Sequence, residues 1–589
     1  MKVTSNLNAL AIAIVTCGFL TCSLCILAFH SFALPLPVNE GLTFQSYLEY
    51  ARHIYYALYE FRAPIMLLLA LLPFIALWGT HRCLTSTALA QRVLTLSCAI
   101  IGVYLIFSAA AYSMSPSFFD HIESSIAALS ILGLAGKPVI YPLDSPDVLN
   151  MFYGPSVHLA NMPFLYVIND PITACKTRGF ACLLLTLATM AWLHFRHFSS
   201  HNALFNLLVF LATLLLFSFF SFGNRADSLL LVAATLVCLG SVQQKKKSAV
   251  LLLSLGTSLL IHGKFHALIY VIPPLIHILA SRGIRFLLPA IPLTCILLAL
   301  PFLWSGTFSI SNYLSFITTP TETPFNFATA CENFAFATLI LSPLVALRWL
   351  MSKTTDKIPN RPVSYAFWAL IICVSGECIV ASMAGSWYYH LMAFLPAISL
   401  LQGQTAESID IRSFGDEENK SLKCLCTGLL IAWLLTALTS GFRHQLQVLH
   451  NIANNSINEV RKDLAHIQQS NPDKLMAMGY GNRYSDSHVN LRPLVVKESQ
   501  SLYFDHNTYS HYILSGNEIE EPAYARIREK HYDIFLIPKD QEPFSDPLFH
   551  SSRYREFFLD NYHFDKAGRY FELWRPKIHD RGHSDESKD

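Results

Sequence analysis

Charge is scarce in this chain: Asp, Glu, Lys and Arg make up 14% of its 589 residues, while 53% are hydrophobic. With so little charge and a positive mean hydropathy, the composition fits a multi-pass membrane protein better than a string of soluble domains. The net charge of +2 says nothing about nucleic acid, and no nucleic-acid partner is expected. Cysteine is absent after Cys426, and no CxxC pair has a matching second pair, so neither a zinc ribbon nor a disulfide scaffold is supported. The 14 cysteines all lie in or near apolar stretches and read as small hydrophobes. No internal repeat occurs. The only biased tract is the polar end "HDRGHSDESKD", expected to be disordered from about residue 578.

What the chain has in abundance is apolar segments of crossing length. They recur at about 7–34, 63–80, 93–114, 179–195, 203–222, 228–242, 248–262, 265–280, 286–304, 331–350, 364–385, 388–402 and 424–440, thirteen in all. The first is longer than the apolar region of a signal peptide and is read as a retained helix. If the N-terminus is cytoplasmic, one set of alternate loops holds 15 Lys and Arg and the other 7. The first set is then cytoplasmic, with "QQKKKS" as an ordinary anchor. Residues 35–62, a long loop at 115–178 and everything after about 441 fall outside. The expected architecture is mainly α, a polytopic domain over 1–440 followed by a small extracytoplasmic α/β domain over 441–589. In that tail Arg443 to Ser470 has helical spacing, while "KLMAMGYG", "YDIFLIP" and "RYFELWRP" read as short buried strands.

The long outer loop opens on "FFDHIES". On a helix starting near Pro116, Asp120 and Glu123 share a face. Such a pair suits a divalent cation, or a general base with an orienting partner. The plainer alternative is that Asp120 caps the helix that follows. Downstream, "GKPVIYPLDSP" and "FYGPSVHLANMP" suit a segment lying on the membrane surface beside a cavity. Arg225 and Asp227 in "GNRADSLLL" and Lys264 in "HGKFHALI" stand at outer boundaries, either as partners for an anion or as snorkelling anchors. Asp227 is read as a structural partner of Arg225. His262, His266 and His390 lack zinc-ligand spacing and read as helix-end residues. Glu377, inside an apolar span, is a functional candidate or an interhelical hydrogen-bonding group.

The order D-x-x-E, Gly-x-Pro-x-Tyr, Tyr-Gly-Pro, "GNRAD", "HGKFH" and "GSWYYHLMAFLP" resembles the GT-C fold membrane glycosyltransferases, the group of protein O-mannosyltransferases and lipid A aminoarabinose transferases. The resemblance runs over about residues 115–400. It implies an inverting transfer of a sugar from a polyprenyl-phosphate donor to a lipid, glycan or protein acceptor at the outer face of a bacterial inner or plasma membrane. It also implies Asp120 as base, Glu123 as alternative base or metal partner, and Arg225, Lys264, Tyr153 and His390 as substrate-binding residues. No cofactor is required by the motifs; a divalent metal ion is compatible with them. The chain departs from many relatives in placing two crossings before the acid loop, which makes Glu40 a rival base. The competing functions are a multi-pass transporter of an envelope precursor and a non-catalytic scaffold of the same fold; no paired Gly/Pro-broken segments of a transporter are present.

Overall fold

The computed structural model describes residues 87–142, 153–303, 306–317, 323–354, 361–408, 457–503, 521–546 and 552–577, apart from 384 and 484–486, with a few isolated positions between these stretches. The first two expected crossings, the loop carrying Glu40, Asp144, most of the 424–440 segment and the polar end lie outside the described residues.

The helices in chain order are α1 Thr87–Met114, α2 His121–Leu134, α3 Pro155–Val167, α4 Pro171–His197, α5 Ser200–Leu215, α6 Ala226–Val242, α7 Lys246–Gly263, α8 Ile272–Arg282, a short turn Ile284–Leu287 and α9 Ala290–Ala299. They continue with α10 Ile310–Ile317, α11 Phe327–Thr354, α12 Arg361–Val380 and α13 Leu395–Ser408. Tight 3-10 turns at Phe265–Tyr270 and Tyr388–Phe394 lead into α8 and α13.

Helix α1 shows why these elements need a membrane. Ile101, Leu105, Ala109 and Tyr112 are buried, while Leu96, Ile100, Val103 and Phe107 on the other side are exposed. A helix apolar all round is not a surface helix of a soluble protein. Among the described residues, six helical stretches are long and apolar enough to cross a bilayer: Leu94–Met114, Pro171–His197, Phe265–Arg282, Ile284–Leu303, Phe327–Trp349 and Arg361–Val380. The chain is an integral membrane protein. Of the thirteen expected crossings, three lie wholly or largely outside the described residues, and other apolar runs form helices below the usual crossing length: Ser200–Leu215 and Ala226–Val242 have 16 and 17 residues. The run expected at 388–402 begins as a 3-10 turn before α13. Helix α4 starts at Pro171 rather than near 179, behind an Asp170 cap, so Lys176 and Arg178 are buried helical residues and not loop anchors.

The C-terminal part carries α14 Ile457–Gln469, β1 Met476–Met478, α15 Arg492–Ser499, α16 Glu521–Arg528, β2 Ile534–Pro538, α17 Ser552–Asn561, β3 Tyr562–Ala567 and β4 Phe571–Pro576. The sheet order is β1-β2-β4-β3. β1 pairs β2 in parallel, with Met476 opposite Ile534. β4 is antiparallel to both β2 and β3. The three strands read from the sequence are present. β3 escapes that reading because "YHFDKA" is exposed after its first residue and so has no apolar signal.

This small α/β unit is docked on α2 and the loops around it. Phe118, Ala127, Ile172 and Cys175 share a core with Val460, Leu464, Val489 and Val495. Polar ties reinforce the seam: Arg461 reaches Asp170 at 3.0 Å, and the Arg526 guanidinium grips both oxygens of Asp147 at 2.8 Å.

Candidate functional site

The helix that follows "FFD" begins at His121, not near Pro116, and Asp120 is its N-cap, with Oδ1 accepting from the Ile122 amide at 2.9 Å. The capping reading therefore holds, but Asp120 has a second task. Its other oxygen, Oδ2, accepts from Nη1 of Arg225, the residue that caps α6. Arg225 Nε donates to Asp227 Oδ2 at 3.1 Å, and Lys264 Nζ donates to Asp227 Oδ1 at 2.7 Å. Four alternating charges from the start of α2, the start of α6 and the end of α7 form one row. Burial opposes the charge on Asp120, and the Arg225 guanidinium, His121 and the Ile122 amide together outweigh it, holding the carboxyl below its ordinary range.

Aromatic faces line this row. Arg225 lies 4.6 Å from the Tyr389 ring centroid and 5.0 Å from that of Phe220; Lys264 lies 5.1 Å from Tyr389 and 5.5 Å from Tyr153. Rings accept a cation's field where water is excluded. The Tyr-Gly-Pro element has a local reason: a Cβ on Gly154 would stand 2.1 Å from the His262 carbonyl oxygen. Only glycine allows the α3 start to approach the α7 end so closely, with Pro155 preset for the first helical position. Tyr153 is carried to Lys264 by that contact.

Lys264 and Arg225 are 5% and 2% exposed, so the snorkelling alternative is overturned; a snorkelling head sits in water. Asp227 is the partner of Arg225 that the sequence indicated, and of Lys264 as well. Arg225 Nη2 has no hydrogen-bond partner among the described residues.

Glu123 is brought close to this row but is fully buried and enclosed. Tyr112 OH donates to Oε2 at 2.5 Å and the Asn224 amide to Oε1 at 2.6 Å. The Asn224 side chain donates to the Glu123 carbonyl at 2.9 Å. Glu123 ties α1 to the turn that delivers Arg225, a positioning role for which neither partner could be read from spacing. Beside it, Lys176 is spent on Ser115 and Ser117, and Arg178 on Asn161, Asn224 and Ser228.

His390 lies beyond the row, its Nε2 3.4 Å from Lys264 Nζ and its Nδ1 2.9 Å from Glu377 Oε1. Tyr389, missed in the sequence although it lies within "GSWYYH", supplies the aromatic face. His262 bonds the Leu298 carbonyl at 2.9 Å, a local helix-end role. Asp147 belongs to the tail seam through Arg526.

With this geometry in place, the chain resembles two crystal structures of ArnT from Cupriavidus metallidurans. One, bound to undecaprenyl phosphate, is 11% identical with a TM-score of 0.51 over 82% of this chain and 97% of that one. The other, in the apo state, is 10% identical with a TM-score of 0.51 over 83% and 98%. No family model and no curated protein matches the sequence. At that identity the likeness is one of fold, and the fold is that of the GT-C membrane glycosyltransferases.

Proposed function

We propose that this protein is a membrane glycosyltransferase that moves a sugar from a polyprenyl-phosphate donor to a lipid, glycan or protein acceptor, with loop 115–178 and the C-terminal unit on the outer side. The observation that carries the proposal is the row Asp120–Arg225–Asp227–Lys264, four nearly desolvated charges from three elements. Burying ions costs several kcal/mol each even when paired. A fold-only role would be met as well by apolar residues, so the arrangement favours chemistry.

The row supplies what such a transfer needs. A departing lipid phosphate gathers negative charge, and Lys264 and Arg225 are fixed cations in a poorly screening environment. The unused Nη2 donor of Arg225 is available to an incoming phosphate oxygen. A phosphate that draws the guanidinium away from Asp120 relieves the interaction that depresses its basicity, so donor binding prepares the base that takes the acceptor proton. The undecaprenyl phosphate held by the ArnT structure supports the donor class. The basic-residue asymmetry supports the sidedness, and the tail's contacts with α2 support a shared side for it and the 115–178 loop.

The test is analysis of envelope glycans and lipids in a strain lacking the protein, complemented with wild type or Asp120→Asn. One missing sugar with accumulation of its carrier-linked form is expected, restored by wild type only. Unchanged glycans with impaired export of a precursor would indicate the transporter instead, and full complementation by Asp120→Asn the scaffold.

A further inference from the structure

Next to the charge row, three side chains from distant parts of the sequence converge on one point. His266 stands in the 3-10 turn before α8, Glu377 near the end of α12, and His390 in the 3-10 turn before α13. Glu377 Oε1 lies 2.9 Å from His390 Nδ1 and 3.4 Å from His266 Nε2, and one ligand atom from each residue falls within 4.8 Å of the others. The two imidazoles are parallel within 4°, centroids 5.1 Å apart, so both present an edge to the same carboxylate.

We propose that His266, Glu377 and His390 form a zinc site. Zinc bound to nitrogen and oxygen at about 2.0–2.2 Å in a tetrahedron separates its ligand atoms by about 3.4 Å. One measured edge, 3.4 Å, matches that value and the other, 2.9 Å, lies below it, so binding needs only small side-chain shifts. Two imidazoles and one carboxylate favour zinc over magnesium or calcium, which take oxygen ligands. Three protein ligands leave a fourth position for water.

Two further observations point to a ligand. Glu377 is fully buried, and its Oε2 has no hydrogen-bond partner among the described residues. An unpartnered carboxylate oxygen in an apolar span is costly unless a cation occupies the site. The outer partners are also present: Tyr270 OH lies 3.2 Å from Glu377 Oε1 and 2.8 Å from the His390 carbonyl, orienting two of the ligands.

Metal binding has a consequence for Lys264. With Nδ1 of His390 on the metal, the proton moves to Nε2, which can no longer accept from the ammonium 3.4 Å away. Lys264 is then left with Asp227. The proposal does not depend on the glycosyltransferase reading.

The experiment uses tag-free full-length protein in lipid nanodiscs, stripped with chelator, reloaded with Zn²⁺ alone and passed through gel filtration before elemental analysis. About one zinc per wild-type chain is expected, with affinity at least ~10-fold weaker in His266→Ala and Glu377→Gln. Co²⁺ loading of wild type should give the visible absorption of a tetrahedral site, absent from the variants. His266, one-third exposed at the rim, can be removed with least damage to folding, so it decides the matter if Glu377→Gln is unstable. Failure of wild type to retain zinc, or equal retention by His266→Ala, would overturn the proposal.

Discussion

Asp227 holds Lys264 at 2.7 Å while its second oxygen holds Arg225 at 3.1 Å, so one carboxylate bridges two buried cations. Asp227→Asn therefore leaves two cations with only Asp120, which reaches Arg225 alone, to balance them and is expected to destabilise the protein by ~3–5 kcal/mol. Lys264→Met leaves Asp227 its Arg225 partner and costs less. The double variant Asp227→Asn/Lys264→Met should be more stable than Asp227→Asn alone. Thermal unfolding of matched detergent preparations decides it; additive losses would show that the pair is not coupled.

Lys264→Met should nonetheless impair turnover. A charged contact to the donor phosphate is worth ~1.5–3 kcal/mol, or roughly a ten- to hundred-fold loss in efficiency. Donor-dependence kinetics in reconstituted membranes provide the measurement, and near-normal values for Met would remove Lys264 from donor recognition.

Asp120→Asn separates capping from charge. Asn caps as well as Asp, so α2 should remain intact while transfer is abolished; Asp120→Ala loses both. The readouts are transfer activity and membrane abundance side by side. Activity of Asp120→Asn equal to wild type at equal abundance would end its assignment as base. Asp147→Asn, which loosens the hold of the tail's Arg526 on the outer loop, should be milder in activity.

Glu123→Gln should act on folding. A glutamine oxygen can still accept from the Asn224 amide, but its NH₂ meets the Tyr112 hydroxyl that donated to Oε2. A loss of ~1–3 kcal/mol is expected for such a buried mismatch. A stable Glu123→Gln with no activity would reverse the division of roles between the two acids.

The seam between α4 and the tail should loosen in acid. Burial opposes the charge of Asp170, and Thr173 and Arg461 overcome it, keeping the folded carboxyl below its ordinary value. Its contribution is therefore complete above the unfolded pKa, near ~3.9, and is lost as pH falls through the lower folded value. The pair is partly solvated, so the contribution is ~1 kcal/mol or less. Arg461→Met should weaken the acid dependence of tail proteolysis; an identical pH profile would show that Asp170 is not the titrating group.

The sequence by itself determined the membrane character, three of the four described strands and the pairing of Arg225 with Asp227. These are local properties: apolar length, strand composition and short spacing. Tertiary structure decided the rest. Lys264 could be an anchor or a buried cation on composition alone, and only the approach of α7 to α6 made it a partner of Asp227. Glu123 and Asp120 look equivalent in "DHIE", yet Tyr112 and Asn224 enclose one while Arg225 takes the other. His266, Glu377 and His390 carry no metal spacing, because two 3-10 turns and one helix end bring them together across more than 100 residues. Such convergence depends on which helices pack, and no period or spacing along the chain encodes that.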